Sequence, residues 1–136
     1  MEPVNEHGFT RAVTRLLPSE VHCQSMTTAA MSYAGTPDRY LDYKRDLWVE
    51  FKYAKHVGRS GIAIGRLLSP LQRRWLRRRF DAGGNACVVV GVPSDRARGF
   101  VLESPEVWEA VVAKDWVIQN VKNAPELAAQ LLRRVE

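Results

Sequence analysis

Three side chains of this 136-residue chain could do chemistry together: Asp38, which follows Pro37 in a turn, and Glu50 and Lys52, twelve and fourteen residues further on. The stretch Leu47-Trp48-Val49-Glu50-Phe51-Lys52-Tyr53 alternates like a strand. Glu50 and Lys52 then project to one side, and Val49, Phe51 and Tyr53 to the other. An acid and a lysine side by side on a half-buried strand are costly to desolvate without a partner or an ion. Two converging carboxylates can hold Mg²⁺ or Mn²⁺, hard cations that take oxygen ligands, and the backbone carbonyl of Phe51 offers another oxygen. A lysine beside that cation can orient or deprotonate a water and offset charge growing on a phosphorane. Those parts suffice for phosphodiester hydrolysis. Taken singly, each residue has a plainer reading. Asp38 can serve only local turn hydrogen bonds, and Glu50 with Lys52 can form a cross-strand salt bridge on an exposed face.

The surrounding pattern supplies elements to hold these residues. A helix is predicted from its cap at Asn5 to about Leu17, with Phe9, Val13, Leu16 and Leu17 at helical spacing and Pro18 as the stop. Residues 20–27 alternate as a strand, and Gly35-Thr36-Pro37-Asp38 is a turn signal. Tyr40, Leu41 and Tyr43 mark a short strand, and Lys44-Arg45-Asp46 turns it into the strand 47–53. Residues 54–67, with Gly58, Gly61 and Gly65, read as a mobile loop. Ser69-Pro70 opens a helix that runs to about Phe80 and ends at Gly83-Gly84. The run Ala86–Val92 is apolar throughout, as in a strand buried on both faces. Ser104-Pro105 starts another helix, and a last one fills 124–135. The order is helix, three strands, helix, strand, then helical additions. This predicts a single α/β domain over 1–136, with its core at about 5–92 and a C-terminal helical extension at about 93–136.

On the helix after Ser69, Leu68, Leu71, Trp75 and Leu76 fill one arc, and Arg73, Arg74, Arg77 and Arg78 cluster opposite. Four arginines on one face suit phosphate groups. Gln72 and Arg79 fall inside the apolar arc. For Gln72 two explanations stand: a capping box with Ser69, or a helix edge that overlooks the metal pocket. Glu6 in the first turn of the first helix is favourable on dipole grounds alone. Trp48 shares the face of Glu50 and Lys52 and is read as packing rather than stacking on a base. His7, His22 and His56 show no zinc spacing with Cys23 or Cys87. The loop glycines precede no Gly-Lys-Ser/Thr, so they are not a nucleotide cradle. They read as hinges in a loop that brings Lys55, Arg59 and Arg66 to DNA.

Charge is concentrated. No acid occurs between Glu50 and Asp81, an interval holding nine of the 20 Lys and Arg, while the other 11 cations share the chain with all 15 acids. One basic zone on a slightly acidic body points to a polyanion partner. With 46% hydrophobic and 26% charged residues the chain is expected to be globular. No apolar run reaches the roughly 18 residues that span a bilayer, and the acidic start Met1–Glu6 does not read as a secretory signal. Two cysteines without framework spacing are expected as reduced, buried thiols in an intracellular compartment.

Gly35-Thr36-Pro37-Asp38, Leu47-Trp48-Val49-Glu50-Phe51-Lys52 and Leu68-Ser69-Pro70-Leu71-Gln72 together resemble the PD-(D/E)XK nuclease superfamily. The likeness is greatest to its VRR-NUC branch in stand-alone, phage-type form, and it covers about residues 5–92. It implies that Asp38 and Glu50 are metal ligands, that Lys52 is the catalytic lysine, and that Gln72 is the helix glutamine beside the site. It also implies a glutamate on the first helix, which Glu6 matches, with Glu20 as the fallback. The family core of helix, three strands, helix and strand agrees with the order read above. The resemblance implies a Mg²⁺- or Mn²⁺-dependent endonuclease for branched or Holliday-junction-like DNA, often homodimeric, acting in the cytoplasm (the host's, if phage-encoded). The competing readings are a non-catalytic DNA-binding module on a nuclease-like fold and a sequence-specific restriction-type enzyme.

Overall fold

The computed structural model describes residues 5–26 and 35–136; Thr27, the last residue of the predicted first strand, lies outside them. In chain order the elements begin with α1 (Glu6–Thr14), β1 (His22–Ser25), β2 (Arg39–Asp42), β3 (Asp46–Tyr53), β4 (Ile62–Ala63), α2 (Ile64–Leu67) and α3 (Pro70–Asp81). They continue with β5 (Ala86–Gly91), β6 (Arg98–Leu102), α4 (Pro105–Trp108), β7 (Val111–Val112), α5 (Lys114–Asn120), β8 (Lys122–Asn123) and α6 (Ala124–Val135). Six strands form one mixed sheet in the order β1-β2-β3-β5-β6-β8, and β4 pairs with β7 apart from it. Within the large sheet β3 runs antiparallel to β2 and parallel to β5. All six residues of β5 are buried, which accounts for its unbroken apolar run.

Each sheet face has its own core. On one, α1 and α6 bring Phe9, Val13, Leu127 and Leu131 onto Leu47, Val49, Phe51 and Val89. On the other, Leu76, Trp108 and Val117 cover Ala86, Val88, Val90 and Leu102. Phe9 fixes α1 to the sheet, its ring centroid 6.3 Å from those of both Phe51 and Tyr53. It is fully buried. Phe9→Ala should therefore lower the free energy of unfolding by about 3–5 kcal/mol, measured by urea titration. The helix ends at Thr14 rather than at about Leu17, because Leu16 finds no core and stays 46% exposed.

Three expectations change. First, residues 54–67 are not all loop: Ile62 and Ile64 are buried in β4 and α2, and β4 pairs with a strand fifty residues later in the chain. Second, the segment after Pro93 is not purely helical. Its β6 and β8 extend the main sheet, and α6 closes the first core. Asn85 fastens that helix, donating to the Arg134 carbonyl at 2.7 Å while its own side-chain oxygen accepts from the Arg134 guanidinium. Third, the inward face of α3 is not the predicted arc. Leu76 is buried, whereas Leu71 is 47% exposed and Trp75 is half-buried. Gln72, Leu76, Arg79 and Phe80 lie at i, i+4, i+7 and i+8 and form the face toward the sheet. Gln72 and Arg79 reach polar groups of β3, and Phe80 meets Trp108.

Candidate active site

The turn before β2 sets the geometry. Gly35 has φ +90°, and a Cβ there would come within 2.6 Å of the Leu71 carbonyl oxygen, so only glycine seats this turn on the start of α3. Arg39 faces Val49 across the ladder, and continuing that register would set Asp38 opposite Glu50 and Pro37 opposite Phe51. Proline has no N–H to give the Phe51 carbonyl, so the pairing ends there. The Phe51 N–H instead donates to Asp38 Oδ2 at 3.0 Å. The N–H and C=O of a strand residue point to the same edge, so the Phe51 carbonyl faces this break in the ladder beside the Asp38 carboxylate.

Glu50 is 1% exposed. Its Oε2 lies 3.4 Å from Gln72 Nε2, and its Oε1 has no hydrogen-bond partner among the described residues. The Asp38 carboxyl is close enough to share a hydrogen bond with it. Burial, then the neighbouring Asp38 charge, push the Glu50 carboxyl up to about 8, against the pull of Lys52. Burial also raises Asp38, opposed by the Phe51 N–H, Lys52 and Arg39. At neutral pH and without a cation, the two carboxyls therefore retain a proton between them. A divalent cation in its place would satisfy both groups and the orphaned oxygen. Among the described residues no three His, Cys, Asp or Glu side chains gather as a ligand set. Two carboxylates and a carbonyl, with water or phosphate completing the shell, suit a hard ion of the Mg²⁺ kind.

The buried acid has a measurable consequence. Its folded-state pKa lies above the ordinary value of 4.5, so between pH 4.5 and about 8 the folded protein binds more protons than the unfolded chain. Stability then falls as pH rises through that window. In EDTA, Glu50→Gln should match the parent protein at pH 4 and exceed it at pH 8 by at most roughly 4 kcal/mol. Thermal unfolding at both pH values, with and without Mg²⁺, checks this. The cation should stabilise only the parent.

Gln72 closes the capping box and also reaches Glu50. Its Oε1 accepts from Ser69 N at 2.9 Å and its N–H donates to Ser69 Oγ at 3.1 Å, closing the capping box, while Nε2 is held toward Glu50. Lys52 is half-buried and, with Asp38 and the Phe51 backbone, lines a cleft of about 440 Å³. Glu6 and His7 from α1 border the same cleft, and the Glu6 charge contributes to raising Glu50. Glu20 is not part of it. Its strand begins at His22 opposite Asp42, the end of β2 remote from Asp38. Arg39 was not singled out in the sequence, yet it lines the cleft and its Nη1 donates to the Asp38 carbonyl at 3.1 Å and to Ser25 Oγ at 3.2 Å. Its position immediately after the motif aspartate was the available signal.

The basic residues divide. Lys55, Arg59 and Arg66 are exposed, as are Arg74 and Arg78 on α3. Arg73 is tied to the Gly65 carbonyl at 3.0 Å, and Arg77 to Asp81 at 3.6 Å. Arg79 reaches back to Asp46 at 3.3 Å, where the Tyr40 hydroxyl also donates at 3.1 Å. Trp48 packs, its ring 4.9 Å from Trp75 and 4.6 Å from Tyr40. Both cysteines are free thiols; Cys87 is buried, and burial pushes it up to about 12, while Cys23 is half-buried. Among the described residues no helix is long and apolar enough to cross a membrane.

No protein-family model and no curated protein matches the chain. Among solved structures it is similar to Hjc, a Holliday junction resolvase from the archaeal hyperthermophile Archaeoglobus fulgidus, with a TM-score of 0.54 and 13% identity over 92% of this chain and 96% of that one. At that identity the likeness is one of fold. The chain has a mixed α/β fold similar to that of Hjc, and the α/β class agrees with the one read from the sequence.

Proposed function

We propose that the protein is a divalent-metal-dependent endonuclease that hydrolyses phosphodiester bonds in branched DNA, four-way junctions above all. The observation that carries this reading is the buried Glu50 carboxyl beside Asp38, with an oxygen left without a donor among the described residues, two residues from Lys52 along β3. Asp38, Glu50 and the Phe51 carbonyl would hold Mg²⁺ or Mn²⁺, with Glu6 at the rim of the cleft. When bound, such an ion lowers the pKa of water and polarises a phosphoryl oxygen. Lys52 orients the attacking water and offsets charge building on the phosphorus oxygens. Gln72 steadies Glu50 and ties it to the start of α3. Arg39 lies where it can meet a phosphate of the cleaved strand, and Lys55, Arg59, Arg66, Arg74 and Arg78 meet backbone farther away, with Arg73 and Arg77 behind them.

Phosphate contacts of this kind fix position and carry no sequence information, so selection falls on DNA shape. The Hjc similarity supports a branched substrate. A four-way junction presents two equivalent strands, which favours a homodimer carrying two such sites. Incubation with a four-way junction and Mg²⁺ tests the proposal. Cleavage near the branch, lost in EDTA and weaker on linear duplex, is expected. Folded protein that cuts no form of DNA would contradict it.

A further inference from the structure

Among the described residues, the sheet face that carries Glu50 is only partly roofed. Cross-strand partners share a face, so Trp48, Tyr40 and Gln24 form one row on that side, and Asp46, Asp42 and His22 the next. Gln24, His22 and Asp42 are exposed and Tyr40 is half-buried, whereas β5 under α3 is buried throughout. The helix therefore forms a wall beside an open shelf. Trp75 stands in that wall, edge-on to Trp48. With Leu71, 47% exposed, it lines a cleft of about 510 Å³ whose other walls include Arg74, Arg78 and Arg79. Leu71 and Trp75 flank Gln72, which contacts Glu50, so the cleft opens within a helical turn of the candidate active site.

A half-buried indole and an exposed leucine among guanidinium groups combine an apolar platform with anion donors. A second copy of the chain does not suit this cleft. A two-fold contact centred on this cleft would set Arg74 and Arg78 against their own equivalents, and among the described residues no acid lines the cleft itself. A nucleotide suits both parts, its base to the ring and its phosphate to the arginines.

We infer that this cleft takes an unpaired base next to the branch of the DNA substrate, stacked on Trp75, with the flanking phosphates against Arg74 and Arg78. The inference rests on the endonuclease reading and adds to it a preference for branches that carry an unpaired base, as forks do and fully paired four-way junctions do not. Bases in intact duplex stay stacked and pay for extrusion, whereas an unpaired base at a branch is free to enter.

Binding measured in EDTA by fluorescence anisotropy separates the two claims, since it needs no cleavage. The probes are a forked DNA with two unpaired thymidines at the branch, the same fork with abasic residues there, and plain duplex. The parent protein should bind the base-bearing fork about ten-fold more tightly than the abasic one. Trp75→Leu, which keeps an apolar contact with Trp48 but has no π-face, should bind both forks alike and duplex as the parent does. Should that variant not fold, the parent's comparison of the two forks decides alone. Equal affinity of the parent for both forks would overturn the inference, as would no binding to any DNA or conversion of a dimer to a monomer by Trp75→Leu. A base preference without Mg²⁺-dependent cleavage would uphold the cleft and sink the endonuclease reading.

Discussion

Asp38→Ala is expected to slow cleavage of a four-way junction by about three orders of magnitude or more while leaving junction affinity in EDTA within about two-fold of the parent protein. Asp38 does two things at once. Its Oδ2 accepts the Phe51 N–H just past the end of the β2–β3 ladder, and its charge faces the buried Glu50 carboxyl. Asp38→Asn separates them, because the amide oxygen can still accept from Phe51 but the charge is gone. It should unfold at the parent's urea midpoint and be as inactive as the alanine variant. Single-turnover rates at saturating protein provide the readout. An asparagine variant that retains most of its activity would show that Asp38 only shapes the turn.

Lys52→Met is the second large effect, a loss of about 10²–10³-fold in the single-turnover rate with Mg²⁺ binding by calorimetry retained. The ammonium is the cation that draws down both Asp38 and Glu50, and it lines the same cleft. Without it Glu50 holds its proton to higher pH, so the residual activity should rise at a higher pH than in the parent. Lys52→Arg keeps the charge but replaces a compact ammonium with a planar fork, and should recover only a small part of the rate. A methionine variant with unchanged rate and pH profile would remove Lys52 from the chemistry.

What could be read from residue order alone was local. Alternation across Leu47–Tyr53 placed Glu50 and Lys52 on one face, and β3 carries them there, Glu50 under α3 and Lys52 in the cleft. The Ser69-Pro70 start and the Ala86–Gly91 strand were visible because capping chemistry and double-sided burial leave their mark on neighbouring residues. Long-range pairing leaves no such mark. The two-residue strand β4 exists because Val111-Val112 lies beside it, and β6 because β5 offers an edge. The orientation of α3 was misread for a related reason. Periodicity places apolar side chains inward by type, but β3 supplies polar partners, Glu50 and Asp46, that draw Gln72 and Arg79 inward and leave Leu71 outside. Arg39 escaped notice because its value depends on β1 delivering Ser25 next to the Asp38 turn. Those residues that broke the pattern, Gln72 and Arg79, were the better guide to what the helix faces.

The most direct measurement is an anomalous difference map from a crystal soaked in Mn²⁺. One strong peak bounded by Asp38, Glu50 and the Phe51 carbonyl, with Lys52 Nζ near its water shell, is the expected result. A map with no peak there, while Mn²⁺ settles elsewhere, would contradict it.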